Sequence, residues 1–595
     1  MAEVEHNFEE VKKNAGAFKL PANFKDYGEA GKGFKWEDHL KEVEWFGAPD
    51  LKNGSINAAY NAVDRHAKGW RANKIALYYE AADGRVEKYS YAELSALSNK
   101  FANVLHKLGI RKGDRVFIFL PRVPQVYVCF LGALKLGAIA STLFSAFGPE
   151  ALRDRLANSE AKMLVTTLDL KKRVDEVRAE LPALSCVMTI DKPKPVAQEG
   201  SYEDSEGQVS YEDEMASASS EFSIAKTGVN DPSFLLYTSG STGKPKGVVH
   251  RHGGIVQQHL TSKWVLDLHD EDVYWCTADH GWVTGIAYNL LGPLSVGATC
   301  VFYDGRFDAE TWYKIIEKYR VTVWYTAPTA IRMLMKSGDE LARERDLSSL
   351  RHIYSVGEPL NPEAIRWGMK AFGLPFHDTW WQTEGGAMLI TNFPSVPVRL
   401  GSMGLPFPGV QAGIVDDEGN ELQPYKEGNL VLRPGWPAMM TSIWGDQARF
   451  DAYFKNGWYL TGDKAMRDKD GYYWFIGRAD DVIKTAGERV GPFEVESALV
   501  EHPAVAEAGV IGKPDALRGE IIKAFIVLRA GFKASDELKE EISKFVKTRL
   551  SAHEYPREIE FTEKLPKTRS GKIMRRVLRA KEMGLPTGDL STLED

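Results

Sequence analysis

At 595 residues, 44% hydrophobic and 26% charged, the chain is long enough to bury several cores and has the composition of a globular protein. A formal net charge of −7 argues against a general binder of nucleic acid or of anionic membranes. Cys129, Cys186, Cys276 and Cys300 form no CxxC pair, which argues against a disulfide framework and for a reducing, cytoplasmic setting. The stretch from Met1 to His6 is acidic and lacks the basic-then-apolar layout of a secretory signal.

From Lys74 to about Ala330 short β-rich runs alternate with amphipathic stretches. Strands are predicted at residues 75–78, 115–120, 163–166 and 321–325, and helices over 91–108 and 310–319. Such alternation implies parallel sheets covered by helices. Residues 126–147 are apolar enough to be weighed as a membrane span. Lys135 stands in their middle, at a cost of roughly 2.5–3.5 kcal/mol in a bilayer, so the stretch reads as a buried helix running into a strand. Residues 198–221 are acidic and rich in Ser, Gly and Glu, and read as an exposed loop or disordered insertion.

Within this alternation lies Thr238-Ser239-Gly240-Ser241-Thr242-Gly243-Lys244-Pro245-Lys246-Gly247, a turn between two apolar runs. Its glycines let a backbone approach a ligand closely, its hydroxyls donate, and Lys244 and Lys246 add charge, which together describe a polyphosphate cradle. A solvated Ser/Gly turn accounts equally well for the loop taken alone, and the spacing is not that of a Walker A motif. Further on, Ser355-Val356-Gly357-Glu358-Pro359 reads as a strand end with a glycine turn. His377-Asp378-Thr379-Trp380-Trp381-Gln382-Thr383-Glu384 reads as a strand ending in a polar cluster. Ligands collect at such strand ends in α/β sheets. Asp463, in Tyr459-Leu460-Thr461-Gly462-Asp463, suits two ribose hydroxyls, and Arg478 offers a fork to ribose or phosphate. Beyond Arg478 comes a compact α+β pattern, with helices predicted over 493–501 and 536–550 and strands at 506–511 and 523–528. Near its end Pro566-Lys567-Thr568-Arg569-Ser570-Gly571-Lys572 forms a basic turn.

These motifs, in this order from about Asn57 to Arg579, resemble the adenylate-forming superfamily of acyl-CoA synthetases, luciferases and peptide-synthetase adenylation domains. The resemblance implies an α/β fold: a large N-terminal domain, residues 1–479, with parallel and mixed sheets covered by helices, and a small mobile α+β domain, residues 480–595, hinged at Asp480. It implies that Gly357, Glu358 and Pro359 cover one face of adenine while Asp378, Thr379 and Trp380 line the other, with Trp381 and Gln382 beside them. Thr383 would bond the α-phosphate, Glu384 would hold Mg²⁺ with ATP, Asp463 and Arg478 would hold the ribose, and Arg489 would reach toward the phosphate. Lys572 matches the family's catalytic lysine. A carboxylate attacking a phosphate brings two anions together, and one bridging cation at about 4 Å and an effective dielectric of 20 is worth roughly 4 kcal/mol. Gly385 stands where relatives usually carry Thr.

Trp282, Val283, Thr284 and Val356 resemble the acetate-pocket walls of AMP-forming acetyl-CoA synthetases, and Trp381 matches the indole that closes that pocket. One methylene in a filled pocket costs ~1–3 kcal/mol, so acetate is expected ahead of propionate and butyrate. For CoA, Thr284 is retained and Lys547 takes the place of an Arg, whereas Ala486 and Asp308 depart from the family's Ser and Asn. A structural cation is expected near Val500, His502 and Val505. ATP, acetate and CoA are the expected partners, with a lysine acetyltransferase and deacetylase acting on Lys572 as a further possibility, and no nucleic acid or membrane. Other acids, a carrier-protein thiol as acceptor, operation in the ATP-forming direction, a kinase-like enzyme and a nucleotide sensor remain alternatives.

Overall fold

The computed structural model describes residues 8–13, 19–191, 208–239, 245–479, 481–485, 488–515, 518–550, 554–568, 572–587 and 593, with the side chains of 208, 239, 488 and 489 left aside. Among these residues two large sheets form the body of the molecule. In one, the Ile75–Glu80, Thr299–Tyr303, Val273–Cys276, Val323–Thr326, His352–Val356 and Phe376–Trp380 strands lie side by side and parallel, in that order. In the other, Ile139–Thr142, Arg115–Phe119, Met163–Thr166, Cys186–Thr189 and Gln208–Ser210 are parallel neighbours. Every position of the Met163–Thr166 and His352–Val356 strands is buried, as expected of central parallel strands covered on both faces, and Met163–Val165 accordingly reads as a continuous apolar run.

The helix Gln125–Leu136 is buried from Val126 onward, ends at Gly137 with φ +80°, and leads into the Ile139–Thr142 strand. Lys135 is fully buried within it. Its ammonium reaches Asp64 Oδ1 and Asn99 Oδ1 at 2.8 Å and Ser95 O at 3.1 Å, so each of its three hydrogens has an acceptor. No helix among the described residues is long and apolar enough to cross a membrane.

Residues 198–221 depart from the expected loop. Residues 192–207 lie outside the described ones, but Gln208–Ser210 adds a strand beside Cys186–Thr189, and Tyr211–Ser217 is a helix capped by the Ser210 side chain. Tyr211 and Met215, four residues apart, are buried on one helical face. Lys107 pairs with Glu214 at 2.7 Å, and the Asn99 and Asn103 amides bond carbonyls of residues 219–221. Acidic composition hid an amphipathic turn whose charged side alone faces water.

Past Arg478 a separate sheet of Ile483–Thr485, Glu488–Val490, Val505–Asp515, Gly519–Leu528 and Glu558–Phe561 packs with the helices Pro492–Glu501 and Asp536–Arg549 around its own core of Val495, Leu499, Val510, Ile522, Ile542 and Val546. It meets the larger body through Phe493 against Phe475, ring centroids 6.2 Å apart, and through Asn361 Nδ2 donating to Ser497 Oγ at 2.7 Å.

Candidate active site

The Thr238–Gly247 segment is the tip of an antiparallel hairpin, Pro232–Ser239 with Pro245–Arg251, in which Thr238 faces Lys246 and Tyr237 faces Gly247. A Cβ at Gly247 would lie 2.9 Å from Leu235 Cδ1 and 3.1 Å from Trp444 Cβ, so a side chain there would have to displace both neighbours. Gly240, Ser241, Thr242, Gly243 and Lys244, and the Ser239 side chain, lie outside the described residues. Thr238 Oγ1, at the base of the loop, is buried with no hydrogen-bond partner among the described residues.

Lys246 reaches across the hairpin to the Glu384 carboxylate and the Tyr453 hydroxyl, with its ammonium 4.8 Å from the Tyr453 ring centroid. Tyr453 in turn donates to Glu384 Oε1 at 3.0 Å. Burial alone would raise the Glu384 pKa, but the adjacent ammonium pulls it below the ordinary glutamate value and keeps the carboxylate ionised. Glu384 lies in the Thr383–Gly385 turn, which closes on Gly386 with φ +72°. A Cβ there would fall 2.0 Å from Ala438 O, so no other residue fits. Gly385 has ordinary φ. A Cβ there would meet only the Leu389 side chain, Cδ1 at 2.6 Å, which can move, so packing does not demand glycine at this position.

The His352–Val356 and Phe376–Trp380 strands are paired, with Ser355 beside Asp378 and Val356 beside Thr379. Gly357 then turns the chain at φ +94° with open space around its missing Cβ, so the conformation, not crowding, demands glycine. Glu358, expected over adenine together with Pro359, has its carboxylate tied to Arg332 at 2.8 Å and Thr329 Oγ1 at 2.6 Å. Asp378 is buried with Oδ1 unpartnered, and burial pushes its pKa up to about 8.

Asp463 is the hub of the polar site. Trp380 Nε1 and Gln382 Nε2 donate to Oδ2 at 3.1 and 3.0 Å, and Arg478, its neighbour in register, donates to Oδ1 at 3.1 Å. Trp380 and Gln382, expected only as adenine lining, therefore also orient this carboxylate. Tyr459 completes the chain by donating to Gln382 Oε1 at 3.1 Å, and its ring stacks on Tyr453, centroids 5.7 Å apart. Tyr459 opens the Tyr459–Asp463 motif read from the sequence, though without a role of its own, whereas Tyr453 was not singled out, and only its position shortly before that motif could have suggested it.

The Lys572 turn is pinned at both ends, Thr568 N donating to Lys572 O at 2.8 Å and Lys572 N to Thr568 Oγ1 at 3.1 Å. Residues 569–571 lie outside the described ones. Lys572 lines a small cleft between the two parts of the chain, with Glu358, Pro359 and Arg575. Protein crowding, then the Arg478 and Arg575 guanidinium groups, lower its pKa, while Asp463 and Asp481 act the other way. The residue is also open to cleft solvent, which limits that depression. The lysine on the small C-terminal part is thus within electrostatic range of the carboxylate hub on the large one.

Of the acid-pocket residues, Val283, Val356 and Trp381 join one apolar cluster, whereas Trp282 packs on Phe144, centroids 4.8 Å apart, in another. Thr284 is buried beside Val283. Lys547 lies exposed on the Asp536–Arg549 helix, 5.1 Å over the Tyr555 ring. Asp308 caps the Ala309–Tyr319 helix by accepting from Thr311 N at 2.8 Å. Val500, His502 and Val505, where a cation was expected mostly through backbone oxygens, share one turn, in which the His502 ring accepts from Ala504 N at 3.2 Å and lies 3.4 Å from Glu541. Among the described residues no cluster of three His, Cys, Asp or Glu side chains suits a metal. Glu384, a hard oxygen donor beside the phosphate hairpin, does fit the single carboxylate contact of a phosphate-bound Mg²⁺. Asp480 and the Arg489 side chain lie outside the described residues.

Comparison with known proteins matches residues 63–444 to the AMP-binding enzyme model and residues 494–572 to the AMP-binding enzyme C-terminal domain. The acetyl-coenzyme A synthetase of Bacillus subtilis strain 168 is 55% identical, over 96% of this chain and 98% of that protein. The acetyl-coenzyme A synthetase of Methanothrix thermoacetophila is 45% identical, over 93% and 86%. Among solved structures, a Brucella canis acyl-CoA synthetase superposes with a TM-score of 0.72 at 37% identity, over 94% of this chain and 99% of that one. The anthranilate CoA ligase AuaEII with anthranoyl-AMP gives 0.80 at 32% identity, over 89% and 97%. The chain belongs to the AMP-binding enzyme family, the adenylate-forming superfamily that its motifs resemble.

Proposed function

We propose that this protein is an AMP-forming acetate–CoA ligase, converting ATP, acetate and CoA to acetyl-CoA, AMP and diphosphate through a bound acetyl-adenylate. The observation that carries the reading is the convergence of Lys572, Arg478 and Asp463 at one edge of a site whose other edge is the Lys246–Glu384 pair.

In the first half-reaction an acetate oxygen attacks the α-phosphorus and the bond to the β-phosphate oxygen breaks, releasing diphosphate. Lys572 bridges the two approaching anions, a stabilisation that grows as they meet and so acts on the transition state. Asp463, held by three donors, accepts the ribose hydroxyls with Arg478 beside it, and Thr383 and Arg489 face the α-phosphate. Lys246 and the hairpin tip hold the outgoing phosphates. Glu384 would hold the Mg²⁺ that accompanies ATP, which supplies charge neutralisation on the phosphates. In the second half-reaction the small domain, residues 480–595, turns about Asp480 and withdraws Lys572. The CoA thiolate then attacks the acyl carbon, and the C–O bond to AMP breaks. Thr284 and Lys547 are the proposed CoA contacts, and Trp381, Val356 and Val283 the acid-pocket walls. A cytoplasmic location and acetylation of Lys572 as an off-switch accompany this reading, since acetylation removes the bridging charge.

The test is carboxylate-dependent ATP–diphosphate exchange across acetate, propionate, butyrate and benzoate without CoA. Exchange strongest with acetate and falling with chain length supports the reading. A maximum at a longer acid keeps the adenylation and discards the pocket.

A further inference from the structure

Trp381 is held in place by two tyrosines that do not belong to the nucleotide site. Its indole N–H lies 3.3 Å from the Tyr325 hydroxyl, which lies 2.7 Å from Thr379 Oγ1. Thr379 Oγ1 donates its single hydrogen to Ser355 O at 2.8 Å. Each hydroxyl has one hydrogen, so the chain has one direction: Trp381 N–H to Tyr325 O–H to Thr379 O–H to the Ser355 carbonyl. That carbonyl precedes Val356, a wall of the same apolar cluster. The indole also packs T-shaped, edge to face, with the Tyr288 ring, centroids 5.2 Å apart at 81°. Tyr288 is fixed in turn, since its oxygen accepts from Met388 N at 2.8 Å and pairs with Thr261 Oγ1 at 2.8 Å, whose hydrogen goes to Gln257 O. Both tyrosines are fully buried, whereas Trp381 is only partly buried. Without the relay, the indole N–H has no partner inside and finds water by rotating outward.

We propose that Tyr325 is a positioning residue for acid chain length: its hydroxyl, with the Tyr288 ring as a backstop, fixes the Trp381 indole across the end of the acid pocket. This rests on the reading that Trp381 closes that pocket. The experiment measures kcat/KM for acetate and butyrate in diphosphate exchange for Tyr325→Phe, Trp381→Gly and the double variant, with melting temperature recorded for each. Tyr325→Phe is expected to raise the butyrate-to-acetate ratio about five-fold, within the range that a hydrogen bond's net contribution corresponds to, mainly through KM for butyrate. In the Trp381→Gly background the same change should move the ratio less than two-fold, because the group it positions is gone. Tyr288→Leu should raise the ratio and Tyr288→Phe, which keeps the ring, should not. If Tyr325→Phe does not fold, the Tyr288→Leu variant in both backgrounds is read in the same way. Equal losses for both acids, or an unchanged gain without Trp381, overturn the proposal. Failure of Trp381→Gly to admit butyrate instead overturns the pocket reading itself.

Discussion

Two regions of this molecule each enclose a lysine, and they treat it oppositely. In the core, Lys135 gives all three hydrogens to Asp64, Asn99 and Ser95 O, so its charge is fully taken up by fixed partners. In the cleft, Lys572 lies within electrostatic range of Arg478, Asp463, Arg575 and Asp481 and forms no ion pair with one carboxylate among the described residues. Arg575, three residues on, is by contrast locked bidentately to Glu496 at 2.9 and 2.5 Å. A saturated buried charge is architecture, and a charge held near a carboxylate hub but left uncommitted remains available to an incoming anion.

The strongest way to break the comparison is to remove each lysine. Lys572→Ala should cost adenylation about 10³-fold, the rate equivalent of roughly 4 kcal/mol, while conversion of supplied acetyl-adenylate and CoA stays within a few-fold. Equal losses in both half-reactions would end the two-conformation account. Lys135→Met should instead destabilise the fold by about 3–5 kcal/mol, because it strands the Asp64 carboxylate, and leave turnover per folded molecule nearly unchanged. Pairing it with Asp64→Leu should restore most of that loss in denaturant unfolding. A double variant as weak as the single would show that the ion pair is not what the helix needs.

Asp378 differs from Asp64 in its lack of a cation: each carboxyl has one buried oxygen without a partner among the described residues, Asp64 Oδ2 and Asp378 Oδ1, but only Asp64 has an ammonium on the other. The folded pKa of Asp378, about 8, lies above the unfolded value of about 3.9, so the native state holds more protons between them. Its contribution is therefore present below about pH 4 and is lost as pH rises toward 8. Asp378→Asn removes this dependence, and its stability relative to the parent should rise by about 3–4 kcal/mol between pH 5 and pH 8. A constant difference across that window would mean the carboxyl is ionised in the fold. The smallest effect concerns the alkaline limb of diphosphate exchange. It should fall below the ordinary lysine value of about 10.4 and move upward in Lys572→Arg, since guanidinium does not titrate there. A limb that stays put in that variant belongs to another group.

Much of the site was legible in the sequence because its parts are local. The Thr238–Gly247 turn, the strand end at Asp378, the Asp463–Arg478 pair and the Lys572 turn each carry their chemistry within a few residues, and the glycines mark where backbone conformation or packing excludes a side chain. Strand and helix positions were equally readable where burial repeats with a fixed period, as in the all-buried Met163–Thr166 strand. Residues 208–217 were misread because two buried side chains, Tyr211 and Met215, are outnumbered by acidic neighbours, and composition averages over a helix that has only one buried face.

What only the tertiary structure decided is who holds whom. Tyr453 beside Glu384, Trp380 and Gln382 on Asp463, and Tyr325 behind Trp381 are pairs separated by 56 to 83 residues. The Glu358 carboxylate pairs with Arg332, and Trp282 packs on Phe144 in a cluster apart from that of Trp381. The sequence by itself determined which groups the chemistry requires and the turns that carry them, since these follow from residue type and short-range geometry. Hydrogen-bond direction, burial and the neighbours of each charge depend on strands meeting across the sheet, and no local pattern encodes that meeting.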